Sequence, residues 1–406
     1  MKRIAAIIAI LFLGGLAAGA VEPPECARID GSRLFFPAGR ERFERFAHRL
    51  ESTRESPDNS VTIWHIGGSH VQAGWFSSRL RHNFDSLGRY PSGGRGYVFP
   101  YPLAHTNYDR SYSVFYEGEW TGTRSSNPNR DVPVSPAYGI MGIAAYTADS
   151  LAAFSLSMPY PFLGLHIMGS ASDGSVCPMV FAGADSLRCE PDGVLGGYIV
   201  EFGQAVDSVR IEPRLRQGQD FTITGLLPES DLPGGVRYLS TGVNGARTST
   251  WTDRCPEFER EMSLVHPDLV ILGLGINDST CPPQEFNPEK FKSNYRRLLD
   301  LMRSQAPECC FIFITNNDSW RYLHRGRMTH NDNGEAVRLA MMELASEYDG
   351  AVWDLFEVMG GNGSATAWRD AMLMKNDRLH FTREGYEFLG DLLYRAIIDE
   401  CHRSDD

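Results

Sequence analysis

A short apolar run that ends in two glycines and a serine constrains the fold more than any other stretch of the chain. Residues 61–66 are mostly β-branched or aromatic, Gly67 and Gly68 follow, and Ser69 opens a helix-like segment. The pattern predicts a strand, a tight turn and the start of a helix. Because open α/β sheets place their sites at the carboxyl ends of strands, Ser69 is a candidate for chemistry. The alternative is a serine that only caps the helix.

The same alternation of apolar strands and amphipathic helices fills the second half of the chain. Besides the strand before Gly67, the predicted elements are strands at 236–241, 268–274, 310–315 and 351–355, with helices at 38–55, 74–87, 253–265, 288–305, 331–348 and 382–401. Strands that alternate with helices form parallel sheets between helical layers. The predicted fold class is therefore a three-layer α/β/α sandwich around a five-stranded parallel sheet.

Residues 101–235 have a different pattern. From about residue 108 to 230 no helical period is present, and short runs of β-forming residues alternate with turn residues, as is typical of all-β sandwiches. We therefore predict an inserted β-sandwich domain at 101–235. It separates a first part of the α/β domain at 27–100 from a second part at 236–406.

Residues 1–20 have the features of a secretory signal peptide. Lys2 and Arg3 precede an apolar core, and Ala18-Gly19-Ala20 supplies the small residues of a cleavage site. The alternative is a retained membrane anchor, although the apolar run is short for a spanning helix. The mature chain is expected to be exported, either periplasmic or secreted, with no lasting membrane insertion.

Charge argues against two classes of partner. The net charge is −12, and removal of the two basic signal residues leaves about −14, which disfavours nucleic acid and anionic membrane surfaces. No spacing of cysteine and histidine suggests a metal site, and no glycine loop with a lysine suggests a phosphate-bearing cofactor. We therefore expect neither metal nor cofactor.

The chain has eight cysteines, and export permits disulfides. Cys177 with Cys189, and Cys26 with Cys401, are the candidate bridges. Free buried thiols are the alternative.

Four segments at the ends of predicted strands or loops together supply the groups of a serine hydrolase. Ser69 is the candidate nucleophile and His380 the base that takes its proton. Asp377 stands three residues earlier, where its carboxylate orients the imidazole. The amides of Ser69 and Gly245, with the Asn277 side chain, are candidates for an oxyanion hole. Each motif alone has an ordinary explanation as a turn or a cap, and the four in this order favour catalysis.

Other residues have weaker claims on the site. His70 is either part of an acetyl pocket or a polar residue of the first helical turn. His65 is expected to be a core histidine, and Asp278 is expected to brace its loop. Three tryptophans are candidates for stacking on sugar rings, although packing in the core or at its rim is favoured for each: Trp251, Trp320 and Trp368.

These motifs resemble the SGNH (GDSL-like) hydrolases over residues 30–100 and 236–406. Ser69 matches the family nucleophile, Gly245 the glycine of the second block, and Asn277 the asparagine of the third. His380 matches the histidine of the final block, with Asp377 as its partner. The resemblance implies a flavodoxin-like arrangement of the sheet and these residues in those roles.

One position departs from the family pattern, and one branch of the family is closer than the others. Gly68 stands where an aspartate usually precedes the serine, which leaves open how the serine loop is braced. The closer resemblance is to the peptidoglycan O-acetylesterases, through the Ser-His pair, the segment 94–101, and an inserted β-sandwich like a carbohydrate-binding module. It implies removal of the 6-O-acetyl group from muramoyl residues.

The leading hypothesis is an exported serine esterase that removes O-acetyl groups from a cell-wall glycan, peptidoglycan first, through an acetyl-serine intermediate. One alternative is an esterase or acyltransferase that acts on another acylated polysaccharide or on a lipid. Another, motivated by Gly68, is a glycan-binding protein on a degenerate hydrolase fold. The sequence leaves the sugar, the ester position and the oligomeric state open.

Overall fold

The computed structural model describes residues 21–86, 89–323 and 326–403. The predicted signal peptide at 1–20 lies outside these ranges. Within them, no helix combines the length and the apolar character needed to cross a membrane.

The described residues contain strands of very different lengths, from two residues to eighteen. In chain order they are β1 (Leu34–Phe35), β2 (Ser60–Gly67), β3 (Ser113–Glu117), β4 (Thr121–Arg124), β5 (Ile143–Thr147), β6 (Ala153–Ser170), β7 (Met179–Ala182), β8 (Asp185–Arg188), β9 (Glu190–Pro191), β10 (Tyr198–Glu212), β11 (Phe221–Ser230), β12 (Gly235–Gly242), β13 (Leu269–Gly273), β14 (Cys310–Ile314), β15 (Trp320–Tyr322), β16 (Met328–His330) and β17 (Ala351–Trp353).

The helices lie before β3 and after β12. They are α1 (Glu41–Glu55), α2 (Ser69–Gln72), α3 (Trp75–Ser86), α4 (Thr250–Arg254), α5 (Phe258–Met262), α6 (Ile276–Ser279), α7 (Pro288–Gln305), α8 (Gly334–Glu347), α9 (Leu355–Met359), α10 (Ser364–Asp370) and α11 (Arg383–Arg403).

The first sheet has the strand order β1-β17-β14-β13-β2-β12. The pairings from β17 to β12 are parallel, whereas β1 joins β17 in the antiparallel sense. The sheet is therefore six-stranded and mixed, and the prediction of a purely parallel five-stranded sheet was wrong at this edge. Two residues, Leu34 and Phe35, are too few to show the periodicity that reveals a strand.

Helix α7 illustrates why the helical predictions match the structure. Its Asn287 cap accepts a hydrogen bond from the Lys290 amide at 3.0 Å, and Pro288 occupies the first helical position. The buried residues fall at helical spacing on one face, including Tyr295 and Leu298. The helix predicted at 253–265, with an early break at Pro256, is two short helices, α4 and α5, which end and begin on either side of that proline.

Strands β3 to β11 form a single nine-stranded sheet in which the pairings are antiparallel. The long strand β6 pairs with β3, β10 and β11 along its length. The predicted β character of this region is present. The hydrogen bonding gives one continuous sheet, however, and not the two separate sheets of the predicted sandwich.

The nine-stranded sheet and one face of the mixed sheet contribute to one apolar core, to which α5, α7 and α8 also contribute. Phe154 and Leu165 of β6 belong to the same apolar core as Leu239 of β12 and Leu272 of β13. The other face of the mixed sheet has its own core beneath the helices. Strand β2 serves both cores, because alternate side chains of a strand point to opposite faces.

All eight cysteines are free, so neither candidate disulfide forms. The Cys177 thiol donates to the main-chain carbonyl of Cys189 and is not joined to its sulfur. The Cys26 thiol contacts the carbonyl of Met359, while Cys401 is buried on α11. The structure therefore agrees with the alternative prediction, in which the cysteines are free thiols.

A buried ion cluster ties α3 to the chain that enters the nine-stranded sheet. Asp109 accepts hydrogen bonds from the guanidinium groups of Arg81 at 2.7 Å and Arg95 at 2.6 Å, and all three side chains are buried. Burial alone would raise the pKa of Asp109, but the two arginines hold it well below its usual range. Arg95, singled out within the segment 94–101, is therefore part of the framework.

Replacing Asp109 with asparagine should lower the free energy of unfolding by about 3–5 kcal/mol, because it leaves two buried guanidinium groups without their counter-charge. Urea denaturation of the D109N variant and the parent measures this. Glu117→Gln, which breaks an exposed pair with Arg210, is the control and should change little. Equal stability of D109N and the parent would contradict the role given to the cluster.

Candidate active site

Three neighbouring parallel strands end at the same level, each in a glycine. Gly67 of β2 pairs with Gly242 of β12 on one side and with Gly273 of β13 on the other. A Cβ atom at Gly242 would collide with the backbone of Gln72, and one at Gly67 would lie 2.8 Å from the carbonyl oxygen of Gly273. The glycines thus allow α2, which begins at Ser69, to rest directly on the strand ends.

The structure joins Ser69, His380 and Asp377 in one chain of hydrogen bonds. The Ser69 Oγ lies 2.9 Å from Nε2 of His380, and Nδ1 of His380 lies 2.8 Å from Oδ2 of Asp377. An ionised carboxylate only accepts, so the imidazole carries its proton on Nδ1 and presents Nε2 to the serine hydroxyl. This arrangement suits transfer of the serine proton to the histidine.

Asp377 is held as an anion by the turn that it begins. Its Oδ1 accepts hydrogen bonds from the amides of Leu379 and His380, both at 3.0 Å. Burial would raise its pKa, but the histidine ring and these two amides outweigh burial and lower the pKa of Asp377 to about 2. Arg378 completes the turn with a left-handed backbone, at a φ of 48°.

The hairpin of β15 and β16 supports this turn from outside. The amide of Trp320 donates to the carbonyl of Arg378 at 2.9 Å, and the guanidinium of Arg378 lies 4.2 Å from the centre of the Trp320 ring. Asn317 donates from its side chain to the carbonyl of Leu379 at 3.2 Å. Trp320 thus packs at the rim, and the other two candidate tryptophans, Trp251 and Trp368, are fully buried in the core.

The loops that carry Gly245 and Asn277 lie beside the serine turn. The Asn277 side chain donates to the carbonyl of Ala246 at 2.9 Å. A Cβ at Gly68 would lie 3.1 Å from Nδ2 of Asn277, so the missing side chain leaves room for this close approach. Ser69 is the first residue of α2, and an amide at that position has no acceptor within its helix.

Gln72 is the residue of this site that the sequence analysis missed. It is 3 % exposed, and its Oε1 accepts the Asn244 amide at 2.6 Å. Its Nε2 donates at 3.0 Å to the Thr106 hydroxyl and to the Asn107 carbonyl. Gln72 thereby links the serine helix to the loop before Gly245, a bracing that Gly68 cannot supply. A lone glutamine in a four-residue helix belongs to no sequence motif. Its role becomes visible only when strand pairing brings α2 next to the Asn244 loop.

His70 packs against the reacting histidine and stays neutral. Its Nδ1 lies 2.7 Å from the Tyr386 hydroxyl, and its ring centre is 5.5 Å from that of His380. Burial, and next to it the charge of His380, lower the pKa of His70 to about 3. The His70 imidazole therefore carries no charge near neutral pH. Its predicted part in an acetyl pocket stays a prediction.

His65 and Asp278 occupy the supporting positions expected of them. His65 is fully buried, with Nδ1 2.8 Å from the Tyr238 hydroxyl. Asp278 accepts hydrogen bonds from the Thr248 amide at 3.1 Å and its hydroxyl at 2.7 Å, which ties the Asn277 loop to the Gly245 loop. Burial raises the pKa of Asp278 to about 6.

The raised pKa of Asp278 predicts a pH dependence of stability. The carboxyl binds its proton more tightly in the folded chain than in the unfolded one, where its pKa is 3.8. The contribution of Asp278 to stability should therefore fall as pH rises through about 4 to 6, by up to about 3 kcal/mol at 1.36 kcal/mol per pKa unit. His70, whose pKa is lowered, contributes in the opposite sense. The Asp278→Asn variant lacks the fall, so its stability in urea denaturation should rise relative to that of the parent across this window.

Glu261 contributes to the same trend in both proteins, since burial raises its pKa to about 7 while it accepts the Ile140 amide. The variant should therefore keep part of the slope. Identical slopes with and without Asp278 would contradict this assignment.

The geometry agrees with a known family of enzymes. Residues 222–388 match the model of the GDSL-like Lipase/Acylhydrolase family. The chain carries a GDSL-like lipase/acylhydrolase domain. The match contains Gly245, Asn277, Asp377 and His380, whereas Ser69 precedes it. The predicted enzyme class, carboxylic ester hydrolase, is confirmed at the level of this family.

A solved structure shows the same fold over most of the chain. A peptidoglycan O-acetylesterase is similar with a TM-score of 0.73 and 18 % identity, over 91 % of this chain and 99 % of that one. An acetyl xylan esterase matches 40 % of this chain and 81 % of its own, at 16 % identity and a TM-score of 0.32. A family two carbohydrate esterase from Cellvibrio japonicus matches 71 % of this chain and 99 % of its own, at 11 % identity and a TM-score of 0.28. No curated protein matches the chain.

Proposed function

We propose that the GDSL-like domain is a serine esterase that removes O-acetyl groups from a glycan, with Ser69, His380 and Asp377 as its catalytic triad. The observation that carries the proposal is the unbroken chain of hydrogen bonds from the Ser69 hydroxyl through His380 to an ionised Asp377. A serine hydroxyl becomes a useful nucleophile when a positioned base takes its proton. No cofactor is needed for this chemistry.

Acetyl transfer to the enzyme takes place in two bond changes. The Ser69 Oγ attacks the acetyl carbonyl carbon while its proton passes to Nε2 of His380, and Asp377 stabilises the imidazolium. The tetrahedral intermediate then expels the sugar oxygen, which takes the proton from His380. Because His70 is neutral, its ring adds no positive charge against the imidazolium.

Deacylation reverses the roles with water as the nucleophile. His380 takes a proton from the water, which attacks the acetyl-Ser69 carbonyl, and acetate leaves as the Ser69 hydroxyl is reprotonated. In both steps the negative oxygen lies in an oxyanion hole formed by the amides of Ser69 and Gly245 and the Asn277 side chain. The contact of Gln72 with the Asn244 amide supports this assignment, because it fixes the loop beside Gly245.

For the substrate we propose an acetylated cell-wall glycan, with 6-O-acetyl muramoyl residues of peptidoglycan first. The likeness to a peptidoglycan O-acetylesterase over 91 % of the chain supports this, since it includes the nine-stranded sheet. An exported location, following removal of residues 1–20, suits such a substrate. The division into parts at 27–100, 101–235 and 236–406 is likewise proposed, with the central part shaping the cleft.

Replacing Ser69 with alanine should reduce acetate release from p-nitrophenyl acetate and from O-acetylated peptidoglycan by about 10³-fold or more, because the nucleophile is removed. Acetate release is followed for both substrates with wild type and variant. Ser304→Ala, on the outer face of α7, is the matched control and should keep full activity. Equal rates for S69A and wild type would sink the proposal.

Removing the Asn277 amide should lower kcat for p-nitrophenyl acetate by about 10²–10³-fold with little change in KM, since a donor that acts on the transition state is lost. The kcat of the Asn277→Asp variant should fall as far, because a carboxylate has the size of the amide but cannot donate a hydrogen bond. Asn59→Ala, at an exposed turn, is the control. An N277A enzyme that retains its kcat would exclude Asn277 from the oxyanion hole.

A substrate panel tests the choice of glycan. We expect kcat/KM for O-acetylated peptidoglycan to exceed that for acetylated xylan and for long-chain esters. Faster turnover of xylan would favour another polysaccharide, and faster turnover of long-chain esters would favour a lipid.

A further inference from the structure

A polar cleft lies beside the proposed triad, between the serine helix and the turn that follows β4. Its volume is about 490 Å³, which is enough for a sugar residue and its substituents. The polar and charged residues that line it include Gln72, Thr106, Arg124, Asn127, Arg130 and Asp131.

The cleft shares Gln72 with the surroundings of the reacting serine. Gln72 stands one helical turn after Ser69 on α2 and forms part of the cleft wall. From the opposite side, the Ser126 hydroxyl donates to the carbonyl of Asn244 at 2.6 Å, and a Cβ at Gly245 would lie 3.7 Å from that hydroxyl. A substrate with its ester at Ser69 would therefore extend past Gly245 into the cleft.

Two arginine side chains bring positive charge to the cleft. In the described part of the chain, the guanidinium groups of Arg124 and Arg130 have neither an ion-pair nor a hydrogen-bond partner. Asp131 also lines the cleft but pairs with neither arginine. Arg124 is half-buried and Arg130 is exposed, so in a chain with a net charge of −12 the two unpaired guanidinium groups form a local positive patch that suits an external anion.

The turn that bears these arginines is ordered before any ligand binds. The Asn129 side chain accepts a hydrogen bond from the Asp131 amide at 3.0 Å and donates one to the Gly122 carbonyl at 3.1 Å. The main-chain amide of Asn129 donates to the Thr123 hydroxyl at 2.9 Å. Ser125 donates twice to the carbonyl of Gly142. A preformed turn loses little conformational freedom on binding, so its charges can contribute to affinity.

We propose that this cleft is a carboxylate subsite, in which Arg124 and Arg130 bind a carboxylate of an acidic glycan while the acetyl ester lies at Ser69. Guanidinium groups bind carboxylates through paired, charge-assisted hydrogen bonds. The subsite rests on the proposed function and narrows its substrate to glycans with a carboxylate near the acetylated sugar. The carboxylate belongs either to the sugar itself or to a peptide attached to it.

The test compares anionic and neutral acetyl esters with Arg124→Gln, Arg130→Gln and the double variant. For O-acetylated peptidoglycan and for an acetylated polyuronate, kcat/KM of the double variant should fall at least about 10-fold, chiefly through KM, because a charge-assisted pair is lost. For p-nitrophenyl acetate and acetylated xylan it should stay within about 2-fold, since no carboxylate is present. Added salt should reduce the wild-type rate on the anionic polymers more than that of the variant.

Arg188→Gln is the matched control. Arg188 is exposed on β8, at the opposite end of the nine-stranded sheet from β4, and should behave as wild type on every substrate. The two anionic polymers separate the sources, because the muramoyl carboxyl of intact peptidoglycan is amide-linked to its peptide: a larger loss on the polyuronate assigns the carboxylate to the sugar, and a larger loss on peptidoglycan assigns it to the peptide. Both results support the subsite.

Other results overturn it. Unchanged turnover of anionic polymers by the double variant, an equal loss on p-nitrophenyl acetate, or a wild-type preference for acetylated xylan would each exclude a carboxylate subsite. In all three cases the wild type still cleaves acetyl esters, so the proposed function survives. A wild type that cleaves none of these esters contradicts the proposed function instead.

Discussion

The register of β2 between β12 and β13 is the constraint on which the site depends. It sets Gly67, Gly242 and Gly273 side by side, so that three loops leave the sheet at one level and α2 can lie on the strand ends. A shift of one residue would turn every side chain of β2 to the other face and carry Ser69 away from the other loops. The hydrogen bond from Ser69 to His380 is thus a consequence of strand pairing, although 311 residues separate the two in the chain.

The nine-stranded sheet is part of the same construction. It shares an apolar core with one face of the mixed sheet, and the Arg81–Asp109–Arg95 cluster fixes the chain where it enters. Two residues from the loops next to its strands contact the site directly. The Ser126 hydroxyl donates a hydrogen bond to the carbonyl of Asn244, and the Thr106 hydroxyl accepts one from the Gln72 side chain. The region therefore shapes the cleft beside Ser69 as well as extending the core.

The sequence predicts those parts of the fold and the site in which a local pattern determines local structure. The apolar strands, α7 and the alternation of strand and helix follow from periodicity and caps, and the four motifs identify Ser69, Gly245, Asn277 and the Asp377–His380 turn. Features set by distant contacts were not predictable. Strand β1 exists only because β17 offers it an edge, and Gln72 gains its role only when α2 meets the Asn244 loop. The two candidate disulfides were wrong for the same reason, since the spacing of cysteines in the sequence does not fix the distance between their sulfurs.

The central claim is that His380 and Asp377 activate one particular hydroxyl. Reaction with a serine-directed phosphonate, followed by mass spectrometry of the intact chain and its peptides, measures this directly. We predict a single adduct on the peptide that contains Ser69. Replacing His380 with alanine removes the base, so the adduct should then be lost. No adduct, or an adduct on a different serine, would contradict it.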